Sequence, residues 1–220
     1  MTENELRQIV SQFRIQGCVE KIEPIGNGLI NETLSVTTAE DNCPDYILQR
    51  INNAVFTDVD LLQHNIELVT SHIRRKLQER HEQDIDRKCL RFISTNDNRT
   101  YYRDALGRFW RMSLFIPRAV TKEEVNSKSA FCCGQTFGNF EQMLVDLQEP
   151  LGETIPNFHN MELRLQQLHE AVKADKAGRV SSVRDMLDTL ARDADEMCLA
   201  EQLHRRGVLP KRICHCDTKV

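Results

Sequence analysis

The sequence predicts an α+β chain, with a five-stranded antiparallel sheet in residues 1–117 and a helical portion in residues 118–220. Three observations predict it. Apolar residues recur first at helical spacing, then with a period of two, then at helical spacing again. The period-two runs are separated by turn residues at 26–28, 42–45 and 104–107. After Pro117 the strand pattern stops and helical periodicity takes over.

Each element follows from its own residues. Leu6, Ile9, Val10 and Phe13 step at helical spacing and predict a short amphipathic opening helix over 5–13. Residues 18–25 and 32–38 are β-branched, partly alternating runs about Gly26-Asn27-Gly28 and read as a hairpin. A third strand, 46–51, follows the turn Asn42-Cys43-Pro44-Asp45. Asp58 is a good N-cap for a long helix to about Arg80, whose Leu62, Ile66, Val69, Ile73 and Leu77 form one apolar face. Strands are predicted near 90–94 and over 108–116, with 100–103 pairing across the turn Asp104-Ala105-Leu106-Gly107. Beyond, helices are predicted over 136–147, 160–173 and 181–206.

Composition narrows the function classes. The 220 residues carry a net charge of −4, and no block of like charge stands out. A nucleic-acid binder needs clustered Lys and Arg, so nucleic acid is not an expected partner. No apolar run approaches the roughly 20 residues that cross a bilayer, and the N-terminus lacks the apolar stretch of a secretory signal. No membrane partner and a cytoplasmic location are expected; oligomeric state is not specified. The eight cysteines are too sparse for a disulfide-stapled scaffold, and most are expected to be reduced and buried. Cys214-His215-Cys216 lacks the second pair of ligands that tetrahedral zinc requires, so no metal-ligating residues are assigned. The sequons at Asn31 and Asn98 are read as accidental matches.

The densest chemistry lies at the end of the sequence. In Ile213-Cys214-His215-Cys216-Asp217-Thr218-Lys219, a His, an Asp and a Lys alternate, and on extended backbone they turn to one side. The string reads either as a solvated turn or as phosphoryl-transfer chemistry, in which Asp takes a proton from a hydroxyl and Lys offsets charge on the moving phosphate. Gly26-Asn27-Gly28 reads either as an ordinary hairpin turn or as a loop whose backbone N–H groups approach phosphate oxygens.

Taken in order, the Gly-rich hairpin, a third strand with basic character, a long helix, a hinge-like strand and the H-x-D-x-K string resemble the aminoglycoside phosphotransferase/choline kinase superfamily. Tyr46-Ile47-Leu48-Gln49-Arg50-Ile51-Asn52 and the C-terminal string are most similar to the bacterial N-acetylhexosamine 1-kinases within it. The resemblance covers nearly the whole chain. It implies a protein-kinase-like fold, with residues 1–117 as a nucleotide-binding lobe and 118–220 as a helical lobe ending in the catalytic loop. The implied reaction is phosphorylation of the anomeric hydroxyl of an N-acetylhexosamine, such as N-acetylglucosamine or N-acetylgalactosamine, with ATP and Mg²⁺.

By the same resemblance Asp217 matches the catalytic base, His215 the residue that braces the catalytic loop and Lys219 the phosphate-facing lysine. Gly26, Asn27, Gly28 and Asn31 match the nucleotide-covering hairpin. Kinases place a phosphate-binding lysine on the third strand and this chain has none, so Arg50 or Gln49 must substitute; Arg50 has the charge, and Glu67 on the long helix is its candidate partner. Phe115 and Ile116 lie where the adenine-framing hinge falls, and either frame the base or only pack; Trp110 reads as core. His159, Asn160 and Arg164 are candidate sugar contacts, although an N-cap role for Asn157 or Asn160 explains much of the same segment.

The family pattern continues to an asparagine three residues past the lysine, at position 222, and then to a metal-binding aspartate. Both lie beyond residue 220, so the resemblance implies an N-terminal portion with an incomplete helical lobe, exposed apolar helix faces and no useful turnover of its own. The alternatives are a non-catalytic nucleotide-binding module and a kinase of another small hydroxyl compound, such as choline, homoserine or an aminoglycoside.

Overall fold

The computed structural model describes residues 1–26, 28–120 and 124–216. The chain separates into two compact units, Met1–Ile155 with Cys214–Cys216, and Pro156–Ile213.

The first unit opens with α1 (Glu3–Val10), started by a capping box in which Thr2 and Glu5 bond each other's backbone N–H groups. The helix ends at Val10, earlier than its periodicity suggests. Gln12 and Phe13 close two tight turns onto Ile9 and Val10, which swings Phe13 into the core and onto an isolated bridge with Thr95. Five strands follow, β1 (Val19–Pro24), β2 (Glu32–Thr38), β3 (Tyr46–Ile51), β4 (Tyr102–Arg103) and β5 (Phe109–Leu114). They form one antiparallel sheet in the order β1-β2-β3-β5-β4. Between β3 and β4 lie α2 (Val59–Glu79), whose Asp58 cap accepts from the Leu61 N–H at 2.9 Å, and a single turn, α3 (Ile85–Lys88).

Register decides what each face of this sheet carries. Leu34 pairs with Leu48, and Leu48 with Met112; Val36 pairs with Tyr46, and Trp110 lies opposite Arg50. Leu34, Val36, Tyr46, Leu48, Trp110 and Met112 are all buried, and Ile9, Val10 and Phe13 pack against them. Alternation sends Thr33, Ser35, Ile47, Gln49 and Arg111 to the other face, where each is half-buried.

Residues 90–94 do not form the strand expected of them. They run beside the C-terminal half of β5 with a single bridge, Phe92 to Ser113, while β4 occupies its N-terminal half. The edge of β5 is thus shared between two short segments, because Ser94 and Thr95 turn away to bond Arg14 and Arg99. The fifth strand is therefore Tyr102–Arg103, held across the Asp104–Gly107 turn by Asp104, which accepts from the Arg108 and Trp110 side chains.

After β5 comes α4 (Ser127–Leu144), which starts well before the expected residue 136. Asn126 and Ser129 form a capping box there, and Gly134 and Gly138 dilute the helical signal that follows it. Because α4 packs on α2, the compact unit that holds the sheet runs past residue 117.

The second unit contains α5 (Met161–Ala174), a 3₁₀ turn (Val180–Val183), α6 (Arg184–Met197) and α7 (Leu199–Arg205). The single helix expected over 181–206 is interrupted at Cys198, whose N–H bonds back to Ala194 and Glu196 as a C-cap before α7 begins. The apolar stripe continues through this break, so periodicity does not reveal it. Neither α5 nor α6 fully buries a residue, and Met186, Leu199 and Val208 are exposed.

The expectation for the cysteines is corrected in part. No disulfide joins them, but only Cys89 and Cys198 are buried, and Cys18, Cys132, Cys214 and Cys216 are exposed. Among the described residues no helix is long and apolar enough to cross a membrane.

The division of the sheet into two faces predicts the cost of substitutions. Leu48→Ala, at a fully buried position, is expected to destabilise by about 2–5 kcal/mol. Leu106→Ala, at a 75% exposed turn position, should stay within about 0.5 kcal/mol. Urea unfolding followed by the emission of Trp110 measures both, and equal costs would contradict the burial that separates the two positions.

Candidate functional site

The β1–β2 hairpin carries the glycine loop. Gly26 takes φ +76°, a conformation that L side chains rarely adopt, and open space surrounds its α-carbon. Asn31 accepts from the Asn52 N–H through its side-chain oxygen at 2.9 Å, tying the end of the loop to the end of β3. Gly28 lies against this same turn, Leu29 is fully exposed beside it, and Asn27 lies outside the described residues.

The two candidates for the missing lysine are separated by the strand's alternation. Arg50 pairs with Glu32 at 3.2 Å in an exposed ion pair at the end of the α1-covered face. Gln49 points to the opposite face, toward α2. The structure therefore does not bring Arg50 to Glu67, which stands exposed on α2 beside His64 and Leu68.

On the polar face a side-chain network runs from strand to strand. Gln49 donates to the Thr33 hydroxyl at 3.0 Å and accepts at Oε1 from Arg111 Nε and Nη2 at 3.0 and 2.8 Å. Arg111 Nη1 reaches Gln63 Oε1 on α2 at 3.4 Å, and Gln63 donates to the Thr100 carbonyl at 3.0 Å. The Phe92 ring lies 5.6 Å from the Arg111 guanidinium carbon. Burial pushes the Arg111 pKa down to about 10, so the side chain remains a cation near neutral pH. Sequence reasoning missed Arg111 and Gln63. A charged residue between buried Trp110 and Met112 was the available signal, but only the β3–β5 register sets it opposite Gln49.

Phe115 and Ile116 are half-buried just beyond β5, and the Phe115 N–H donates to the Asp45 carbonyl at 2.9 Å. Trp110 is fully buried, as its reading as core requires. His215 packs against α4, its ring tilted 5.3 Å from Phe137 and edge-on 6.0 Å from Phe140. Asp217 and Lys219 lie outside the described residues. In the second unit Asn160 caps α5 by accepting from the Leu163 N–H, and Arg164 donates to the carbonyls of Asn157 and Phe158. His159 packs edge-on to Phe158 at 4.5 Å. These three residues thus share one loop and helix start, with Asn160 in the N-cap role.

A cleft of about 640 Å³ lies between α2 and the end of α4, lined by His64, Glu67, His72, Arg75, Asp146 and Glu149 among others. The α4 C-terminus is held there by α2. His72 Nε2 lies 3.0 Å from the Met143 carbonyl and 3.1 Å from Asp146 Oδ1, and Lys76 donates to both groups. Arg75 donates to His72 Nδ1 at 3.0 Å, which leaves the ring proton on Nε2. Cations at a helix C-terminus offset its partial negative charge. Among the described residues no group of three His, Cys, Asp or Glu side chains is arranged to hold a metal ion.

An antiparallel five-stranded sheet with a long helix inserted before its last two strands, followed by helices, is a protein-kinase-like fold. The chain is similar to the crystal structure of spectinomycin phosphotransferase, APH(9)-Ia, in complex with ADP and spectinomycin, with a TM-score of 0.57 over 99% of this chain and 12% identity. It spans 63% of the length of that chain. No family model matches the sequence.

The α2–α4 junction predicts a pH response. Hydrogen bonds from Lys76 and His72 lower the Asp146 pKa from 3.8 to about 2. A carboxylate held below its unfolded value stabilises the fold above about pH 4, and that contribution is lost as pH falls through about 2. Between those values the unfolding midpoint of the wild-type chain should fall more steeply than that of Asp146→Asn. Parallel pH profiles would contradict the junction described.

Proposed function

We propose that this chain binds ATP and belongs to a kinase that transfers its γ-phosphoryl group to the hydroxyl of a small molecule, most specifically the anomeric hydroxyl of an N-acetylhexosamine. The observation that carries the reading is the H-x-D-x-K string in a chain with a kinase-like fold, its His215 packed on Phe137 and Phe140 of α4. A histidine braced in this way is what the catalytic-loop role asks of it. The ADP and spectinomycin bound by the similar structure support a nucleotide and a small hydroxyl compound as ligands.

In this reading the hairpin about Gly26 and Gly28 covers the nucleotide, the segment through Phe115 and Ile116 frames its base, and the polar face of the sheet meets its phosphates. Asp217 takes the acceptor's hydroxyl proton as the acceptor oxygen bonds to the γ-phosphorus. The bond from that phosphorus to the bridging oxygen breaks and ADP leaves. Lys219 offsets the charge that develops. His159, Asn160 and Arg164 are the residues proposed to face the sugar. The phosphate oxygens of ATP would supply hard ligands for Mg²⁺, which would offset part of their charge.

Thermal unfolding of the 220-residue chain with added ATP tests the reading. Binding to the folded state raises the midpoint with ligand concentration, so a saturable rise is expected with ATP and ADP. N-acetylglucosamine or N-acetylgalactosamine should raise it further when ATP is present. No rise with either nucleotide at millimolar concentration would overturn the nucleotide reading; a further rise with choline, homoserine or spectinomycin in place of the N-acetylhexosamines would overturn the sugar.

A further inference from the structure

The third strand lacks the lysine that a kinase-like fold ordinarily sets against nucleotide phosphates, and Arg50 points to the opposite face. The neighbouring strand supplies a cation in its stead. We infer that Arg111 of β5 is the phosphate-binding cation of this chain, held for that task by Gln49 and Gln63. The inference rests on the nucleotide reading above and names the residue that the reading leaves without an assignment.

Thr33, Gln49 and Arg111 lie in one row across β2, β3 and β5, since Thr33 pairs with Gln49 and Gln49 with Arg111. That row lies on the face left uncovered by α1, and its β2 end is two residues from Asn31 at the base of the glycine hairpin. Taking a guanidinium out of water is costly unless an anion faces it, yet among the described residues no carboxylate forms an ion pair with Arg111; its protein acceptors are two neutral amide oxygens. A cation desolvated and left formally uncompensated is suited to an anionic ligand.

A guanidinium has five N–H groups; Gln49 takes one from Nε and one from Nη2, and Gln63 takes one from Nη1. One N–H on each terminal nitrogen therefore remains, so each arm of the planar guanidinium fork keeps a donor for phosphate oxygens. The two glutamines and the Phe92 ring fix the plane of that fork without neutralising its charge. In a kinase-like fold a strand lysine paired with a helix glutamate would supply the cation; here Gln49 and Gln63 occupy the strand and the helix, and the charge comes from β5.

Calorimetric titration of ATP, inorganic tripolyphosphate and adenosine into the wild-type chain, Arg111→Met and Arg111→Lys tests the inference. Arg111→Met should weaken ATP and tripolyphosphate about 10- to 100-fold, the range that charge-assisted hydrogen bonds span, and leave adenosine unchanged. Arg111→Lys, which keeps charge but not the fork, should fall between. Unchanged ATP affinity in Arg111→Met would overturn the inference, as would an equal loss of ATP and adenosine, which marks a structural role. If Arg111→Met does not fold, Arg111→Lys decides alone, and wild-type affinity for tripolyphosphate in it would overturn the fork. Tripolyphosphate binding that depends on Arg111 without any binding of adenosine or preference for ATP would sink the nucleotide reading and leave the anion site standing. Failure of the wild-type chain to bind either polyphosphate would overturn both.

Discussion

The period of two in β2, β3 and β5 is the constraint on which the remainder depends. Every second residue of these strands, Leu34, Val36, Tyr46, Leu48, Trp110 and Met112, is packed under α1, which leaves the residues between them to the other face. A slip of one residue would exchange the faces wholesale, turning Gln49 and Arg111 under α1 and the core residues to the other side. The same pairing that makes the fold stable thus fixes which polar groups stand together. No separate device is needed to assemble the row Thr33, Gln49, Arg111; it is the reverse side of the hydrophobic core.

Two further contacts orient helices about that sheet. Gln63 ties α2 to Arg111 on one side and to the Thr100 carbonyl on the other, so amide hydrogen bonds anchor this part of the helix. At the helix's far end His72 and Lys76 grip the C-terminus of α4. The long helix is consequently connected both to the sheet and to the first helix beyond β5. That helix also carries Phe137 and Phe140, against which His215 packs, so the segment leading into the H-x-D-x-K string rests on the same compact unit as the sheet.

Much of this was legible in the sequence. The bounds of β2, β3 and α2 follow from alternation, from Asp58 as a cap and from a continuous apolar stripe, all of which are local signals. What was not legible depended on long-range pairing or on single residues. Residues 90–94 have strand composition, but Ser94 and Thr95 are drawn off to Arg14 and Arg99, partners distant in sequence or reached by a turn. The break at Cys198 leaves the apolar period intact and so gives no periodic sign. At the candidate site, the third strand could be seen to lack a lysine, and two adjacent residues could be seen to face oppositely. Charge alone favoured Arg50, whereas the register assigns Arg50 to Glu32 and sets Arg111 beside Gln49. The pairing of α2 with α4 through Asp146 was equally invisible, because its members stand some seventy residues apart.

On this proposal the polar face of the sheet is where a nucleotide's phosphates rest. A crystal structure of the chain grown with ADP tests it most directly. Phosphate density is expected between the hairpin about Gly26 and the row Thr33, Gln49, Arg111, with the base toward Phe115 and Ile116. Well-ordered ADP seated elsewhere, with Arg111 still bonded only to Gln49 and Gln63, would contradict it.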